Sequence, residues 1–188
     1  METEENNNKD KASWGEIIRF ALITLIIVVP IRAYVAQPFI VNGASMSPTF
    51  ENGHYLIVDE ISYFFRQPER GEVVIFRYPK EPNKFFIKRV IGLPGETVII
   101  EEGQTFIETK EGILELEESY AIGKNYLKQS LETTLKAGEY FVMGDNRDYS
   151  LDSRIWGPVD YKLIKGRAFL RLFPFNQMGF KPGHLENL

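Results

Sequence analysis

The chain has 188 residues, 22 lysines and arginines against 26 aspartates and glutamates, and a net charge of -4 at pH 7. That length suits one compact domain with a short extra segment, and the acidic balance argues against a broad nucleic-acid footprint, so no nucleic-acid partner is expected. There is no cysteine and only two histidines, His54 and His184, which excludes disulfide scaffolds, thiol nucleophiles and cysteine metal sites. No metal or cofactor is expected, because two histidines alone do not build a metal centre. Gly92-Leu93-Pro94-Gly95 reads as turn chemistry rather than a phosphate cradle.

Residues 1–13 are polar and charged without an apolar period, and read as disordered. Residues 17–36 are apolar apart from Arg19, Thr24 and Arg32, and residues 20–31 carry no charge. A membrane span needs about 20 residues, so snorkelling arginines are required to complete one. Trp14 and Tyr34 bracket the segment across roughly 30 Å of helix, the spacing of an aromatic belt. A cleaved leader wants small residues at the last and third-last positions. A cut after Ala36 puts Tyr34 third from the end, and a cut after Ala33 puts Ile31 there. The arginines do not form the continuous polar face of a helix lying flat on a membrane. The expectation is an uncleaved transmembrane anchor over residues 17–36, after a tail over residues 1–16. Lys9, Lys11 and Arg19 outnumber Arg32, which places the tail in the cytoplasm and residues 37–188 outside a cell membrane crossed once.

After the anchor the pattern changes to short, turn-bounded β segments. Residues 39–41 lead into Asn42-Gly43-Ala44-Ser45-Met46-Ser47-Pro48-Thr49, where small residues leave room for a substrate backbone and Pro48 favours a bend. Strands are expected at residues 55–58, 72–78 and 85–91, the last two joined by a hairpin loop over residues 79–83. A smaller hairpin is expected from residues 97–100 and 105–108. Residues 113–135 are acidic and irregular and read as a lid, within an insertion of about residues 96–140. Strands at residues 139–143 and 166–172 follow, and the tail after Phe173-Pro174-Phe175 reads as coil. The expected fold class is mainly β, a partly closed antiparallel β-barrel or sandwich with a small β insertion, preceded by one transmembrane helix.

Ser45 is a candidate nucleophile, although the stretch alone also fits a serine-rich turn after a strand. A serine hydroxyl needs a base to take its proton, and histidine is the usual one. His54 follows Gly53 at a turn and reads as a solvent-exposed loop residue, and His184 lies in the tail. Lysine serves only where a dry site lowers its pKa from about 10.4. Lys88 lies in Phe85-Phe86-Ile87-Lys88-Arg89-Val90-Ile91, and alternation puts it on the strand face of Phe86. From the residues alone it reads either as that base or as an exposed charge on an edge strand.

Four stretches occur in order: Ala44-Ser45-Met46-Ser47-Pro48-Thr49, Arg70-Gly71-Glu72-Val73-Val74, Lys88-Arg89-Val90-Ile91-Gly92-Leu93-Pro94-Gly95-Glu96, and Gly144-Asp145-Asn146-Arg147-Asp148-Tyr149-Ser150-Leu151-Asp152-Ser153-Arg154. Together, behind the apolar segment, they resemble the boxes of type I signal peptidases in the single-anchor, Gram-positive form. The resemblance runs from the anchor to about Leu172. It implies a membrane-anchored serine endopeptidase that removes signal peptides from exported pre-proteins after small residues, at Ala-X-Ala type sites. It implies Ser45 as nucleophile, Lys88 as general base and Ser150 as the hydroxyl that orients the lysine. Asp145, Asp152 and Arg154 match a buried polar cluster supporting the site.

Phe39, Val41, Met46, Phe50, Leu56, Ile75, Phe86 and Ile87 match positions lining two shallow apolar pockets, and read equally as core. The resemblance implies a peptide added as a strand beside the stretch from Val41 to Gly43. Pre-protein signal peptides, the lipid bilayer and the protein export channel are the implied partners. In the family the oxyanion meets the nucleophile's own N–H, and some members add a hydroxyl at the position that is Gly43 here. His54 departs from the aspartate usual in the family, which touches only local turn detail. Two further readings stand beside this one: a related serine–lysine protease with another substrate, and a catalytically silent anchored β domain that binds export machinery.

Overall fold

The computed structural model describes residues 14–30, 37–123 and 130–185. The expectations for residues 1–13 and 31–36, and part of that for residues 113–135, lie outside the described residues. The described residues open with helix α1 (Trp14–Pro30) of 17 residues. At 1.5 Å per residue it is about 25 Å long, short of a hydrocarbon core of about 30 Å, and it includes the charges of Glu16 and Arg19. Among the described residues no helix is long and apolar enough to cross a membrane. The single-pass anchor, and the cell-membrane location and sidedness drawn from it, are therefore corrected.

The strands are β1 (Gln37–Ile40), β2 (Tyr55–Asp59), β3 (Val73–Tyr78), β4 (Glu81–Gly92), β5 (Thr97–Glu101), β6 (Gln104–Thr109), β7 (Gly112–Glu115), β8 (Leu131–Thr134), β9 (Glu139–Met143), β10 (Val159–Asp160), β11 (Ile164–Phe173) and β12 (Gly179–Phe180). A short helix, α2 (Ser153–Trp156), lies between β9 and β10. The large sheet runs β1-β2-β11-β3-β4-β9-β10, with β12 pairing β11, and the small sheet runs β7-β6-β5-β8. Among the described residues every pairing between these strands is antiparallel. Neither sheet closes on itself, so the partly closed barrel is corrected to two open sheets. Closure needs the first and last strands to pair, and β10, at the end opposite β1, is only 2 residues long.

Period-2 alternation explains the core. Val73, Val74, Ile75 and Phe76 of β3 are all buried, so this central strand is covered on both faces. Val73 and Ile75 pack with Val41, Met46, Phe50, Leu56, Val58 and Ala168. Val74 and Phe76 pack on the other face with Tyr63, Val90, Tyr140, Val142 and Val159. A third cluster joins Val98, Ile100 and Ile107 of the small sheet to Ile91, Phe141 and Met143 of the large one. Each fully buried aliphatic side chain contributes about 1.5–3 kcal/mol.

Two local readings differ from the structure, and one short helix was not singled out from the sequence. The β3–β4 hairpin is tighter than a loop over residues 79–83, because Tyr78 pairs with Glu81 after a register shift. The tail is not all coil, since Gly179 pairs with Arg171 and Phe180 with Leu170. The short helix α2 forms because Asp152 caps it, accepting from the Arg154 N–H.

Gly92 sits where the two sheets meet. A Cβ there falls 2.4 Å from Val98 Cγ2, 2.8 Å from Leu135 Cδ1 and 3.1 Å from Phe141 Cβ. Gly92→Ala is expected to destabilise the fold by about 1–3 kcal/mol through overpacking. Urea unfolding reads this as a lower midpoint at unchanged slope.

Candidate active site

Beyond β1 the chain stays paired for one more residue. Val41 N–H donates to the His54 carbonyl at 2.9 Å, and its carbonyl accepts from Gly53 N–H at 2.8 Å. Gly43 then turns the backbone at φ +91°, a conformation glycine adopts freely, and its N–H donates to Asn52 Oδ1 at 2.9 Å. Ser45 follows in a tight turn closed by Ser47 N–H to Ala44 O at 3.1 Å and Phe50 N–H to Met46 O at 2.8 Å. Met46 and Phe50 are buried and root this turn in the core.

Lys88 reaches the turn from β4, where it pairs with Val74. Its Nζ lies 2.6 Å from Ser45 Oγ and donates to the Ile87 carbonyl at 3.0 Å. Lys88 is only 3% exposed. Burial pushes its pKa down to about 8, against the pull of the Asp152 and Asp145 carboxylates, and Arg154 adds to the lowering. The amine also lies 5.5 Å from the centroid of the Phe86 ring.

Behind this pair lies a buried polar cluster. Asp145 meets Arg89 in a two-bond ion pair, Nε to Oδ1 at 2.8 Å and Nη2 to Oδ2 at 2.5 Å, with both side chains buried. Thr49 Oγ1 donates to Asp145 Oδ2 at 2.5 Å, so this pair ties β4, the serine turn and the loop after β9 together. Arg89 Nη1 donates to the carbonyls of Gly71 and Gly183. Asp152 accepts from Arg154 Nε at 2.8 Å, Arg154 Nη2 at 2.9 Å and Gly144 N–H at 3.0 Å. Burial pushes the Asp152 carboxyl up, but the Arg154 bonds and charge outweigh it and hold the group below its ordinary pKa.

Gly144 is the point of closest approach. A Cβ there falls 2.2 Å from Ser150 Oγ and 2.4 Å from the Ser45 carbonyl oxygen. Asn146 N–H donates to that same carbonyl at 3.1 Å. Ser150 is buried beside Gly144, and no hydrogen bond joins its hydroxyl to Lys88.

A cleft of about 540 Å³ opens beside the pair. Of the residues expected to bind substrate, Phe39, Val41, Gly43, Leu56, Ile75, Phe86 and Ile87 line it, with Ser45 and Lys88. Met46 and Phe50 do not line it and lie in the core. Ile40, Phe85, Tyr149 and Leu151 line it without having been singled out from the sequence. Tyr149 and Leu151 carried a usable signal, as large side chains flanking Ser150 in the last box. Arg89 carried one too, since a second charge inside an apolar strand needs a buried partner. His54 is buried rather than exposed, because Gly53 folds back onto Val41. Its Nδ1 accepts from Glu51 N–H at 3.3 Å, and its ring meets Phe50 edge-on.

Residues 14–173 match the family model described as signal peptidase, peptidase S26. The chain belongs to this family. It is 35% identical to signal peptidase I of Bacillus licheniformis, over 94% of this chain and 97% of that one. It is 38% identical to signal peptidase I of Leptolyngbya laminosa, over 84% and 78% of the two chains. It is 34% identical to a probable signal peptidase I-2 of Synechocystis sp., over 89% and 77%. The family assignment supports a hydrolytic function of the signal peptidase I type, serine-protease-like, with protein substrates. The matched region ends at the last residue of β11, so it takes in every strand except β12 and every residue of the cleft.

Removing one member of the buried ion pair leaves the other charge stranded. Asp145→Ala is expected to destabilise the protein by about 3–5 kcal/mol. Chemical denaturation at pH 7 measures it, and a change below about 1 kcal/mol would show that the pair does not hold the loops together.

Proposed function

We propose that the protein is an endopeptidase that removes signal peptides from exported pre-proteins after small residues at Ala-X-Ala type sites. Ser45 is the nucleophile and Lys88 the general base. One observation carries this reading: the Lys88 amine lies 2.6 Å from the Ser45 hydroxyl and is buried, so its neutral form is reachable near neutral pH.

The neutral amine takes the Ser45 proton as Oγ attacks the carbonyl carbon of the scissile bond. A tetrahedral oxyanion forms beside the Ser45 N–H. The Lys88 ammonium then gives its proton to the leaving amine, the C–N bond breaks, and an acyl-serine remains. A water molecule, deprotonated by Lys88, hydrolyses that ester and regenerates both side chains. Asp145, Asp152 and Arg154 position the loops around this chemistry. Ser150, buried beside Gly144 and without a hydrogen bond to Lys88 in this structure, is the hydroxyl that would orient the amine as Lys88 changes charge.

Substrate choice follows from the cleft. Phe39, Val41, Leu56, Ile75, Phe86 and Ile87 give it apolar walls. β1 ends the large sheet, and among the described residues no strand pairs its outer side, so an extended peptide can add along the outer edge of the stretch from Val41 to Gly43. On this reading residues 37–188 form the catalytic domain, and residues 96–140 are an insertion that carries the small sheet.

Cleavage of an alanine-ended pre-protein is expected to rise with pH through one ionisation near 8, as Lys88 loses its proton. Ser45→Ala is expected to be inactive, and Lys88→Arg, which cannot deprotonate, to lose about 10²–10⁴-fold. Initial rates from pH 6 to 10 with mass-mapped products decide this. A flat profile, or an arginine variant within about tenfold of wild type, removes Lys88 as the base.

Stability offers a separate check on the same amine. Its folded pKa of about 8 lies below the ordinary 10.5, so the folded state binds fewer protons between those values and stability rises with pH across that window. Lys88→Met has no such ionisation. It is expected to be inactive yet roughly 2–4 kcal/mol more stable than wild type at pH 7, with the gap closing towards pH 10.5. Urea midpoints at pH 7 and pH 10 test it.

A further inference from the structure

The chain leaving β7 at residues 116–123 was legible in the sequence only as part of an acidic lid. In the structure it lies against the loop that carries Asp145. Leu116 anchors its start in the small sheet, with its N–H donating to the Thr105 carbonyl at 2.9 Å. Glu118 then receives the buried Arg147 guanidinium through two parallel bonds, Nη1 to Oε2 and Nη2 to Oε1, both 2.6 Å. Thr105 Oγ1 and the Tyr120 hydroxyl donate to the same carboxylate at 3.0 Å and 3.1 Å. The Tyr120 ring faces Arg89, whose guanidinium carbon is 4.3 Å from its centroid. Backbone bonds complete the seam: Ile122 N–H to Asp145 O and Arg147 N–H to Ile122 O, each 2.8 Å.

Arg147 passes this anchorage inward. Its Nε donates to the Gly144 carbonyl at 2.9 Å, and its own carbonyl accepts from Arg154 Nη2 at 2.8 Å. Gly144 is where the Ser45 carbonyl and Ser150 meet, and Asn146 N–H holds the Ser45 carbonyl at 3.1 Å. We infer that Glu118 is a positioning residue for the Ser45–Lys88 pair, acting through Arg147 and the loop at residues 144–147. The small sheet thereby sets the geometry of a reaction that occurs on the large one. The inference rests on the proposed function, since Glu118 touches neither reacting group.

The test uses the full chain and an alanine-ended pre-protein. Wild type, Glu118→Ala and Glu118→Gln are compared by kcat, KM and the folded fraction from circular dichroism. Glu118→Ala is expected to lose about a hundredfold in kcat with KM within about twofold, because a misplacement of about 1 Å costs that much. Glu118→Gln keeps the shape and one acceptor for Arg147, and is expected to recover to about tenfold below wild type. Unchanged kcat in folded Glu118→Ala overturns the inference. So does a loss confined to KM, or a loss matched by the unfolded fraction. If Glu118→Ala does not fold, Glu118→Gln decides, and wild-type kcat in that variant overturns it. A wild type that leaves the pre-protein intact overturns the proposed function itself, whereas wild-type turnover with unaffected variants overturns only the role of Glu118.

Discussion

Burying the Lys88 amine strips away the water that would keep it charged, and the surrounding architecture keeps that state accessible. Two carboxylates stand close enough to pull the proton back, Asp152 more than Asp145. Each is already engaged by an arginine, Asp152 by Arg154 and Asp145 by Arg89. The arginines therefore do two things. Both satisfy acids that would be costly to bury alone, and Arg154 also reduces the negative field at the amine. Unpaired carboxylates at the same positions would favour a lysine locked in its charged form, a donor with no capacity to accept a proton.

The positions of Lys88 and Arg89 follow from alternation on one strand. Lys88 reaches the serine turn at the cleft, and Arg89 enters the ion pair with Asp145. An arginine at that depth needs acceptors all round, and they come from distant parts of the chain: Asp145, the Gly71 carbonyl and the Gly183 carbonyl. Burying two adjacent cations thus requires the β9 loop, the residues before β3 and the C-terminal tail to converge on one strand. That convergence explains why a tail that reads as coil ends in ordered contacts.

The sequence made the local pieces legible and left the long-range ones hidden. Strands such as β3 and β5 announce themselves by β-branched and aromatic residues, and the four ordered stretches brought Ser45, Lys88, Asp145 and Asp152 forward. The ladders between β2 and β11, and between β4 and β9, join segments far apart in the chain. No local pattern reveals whether such ladders close, so an open sheet and a partly closed barrel read alike. Met46 and Phe50 illustrate a second limit. Apolar residues around a cleft and apolar residues beneath it share one composition, and only the turn geometry sorted them. The anchor relied on snorkelling arginines to complete a span to residue 36, and among the described residues no helix is long and apolar enough to cross a membrane. Glu118 was invisible because a carboxylate in an acidic stretch carries no mark of its partner.

The turn also constrains how charge can develop during the proposed reaction. At φ +91° position 43 is strained for any L side chain, and its N–H is already spent on Asn52. Neither a hydroxyl side chain nor a backbone donor from residue 43 is then offered to the oxyanion in this geometry. What remains nearby is the N–H of Ser45 and the ammonium that Lys88 becomes in the same step. In the proposed step, proton transfer over 2.6 Å creates that cation as the anion forms, so the two charges appear together beside a buried amine. On the proposed reading the base that starts the reaction is also a counter-charge for its intermediate, which would tie the depth at which Lys88 is buried to both steps at once.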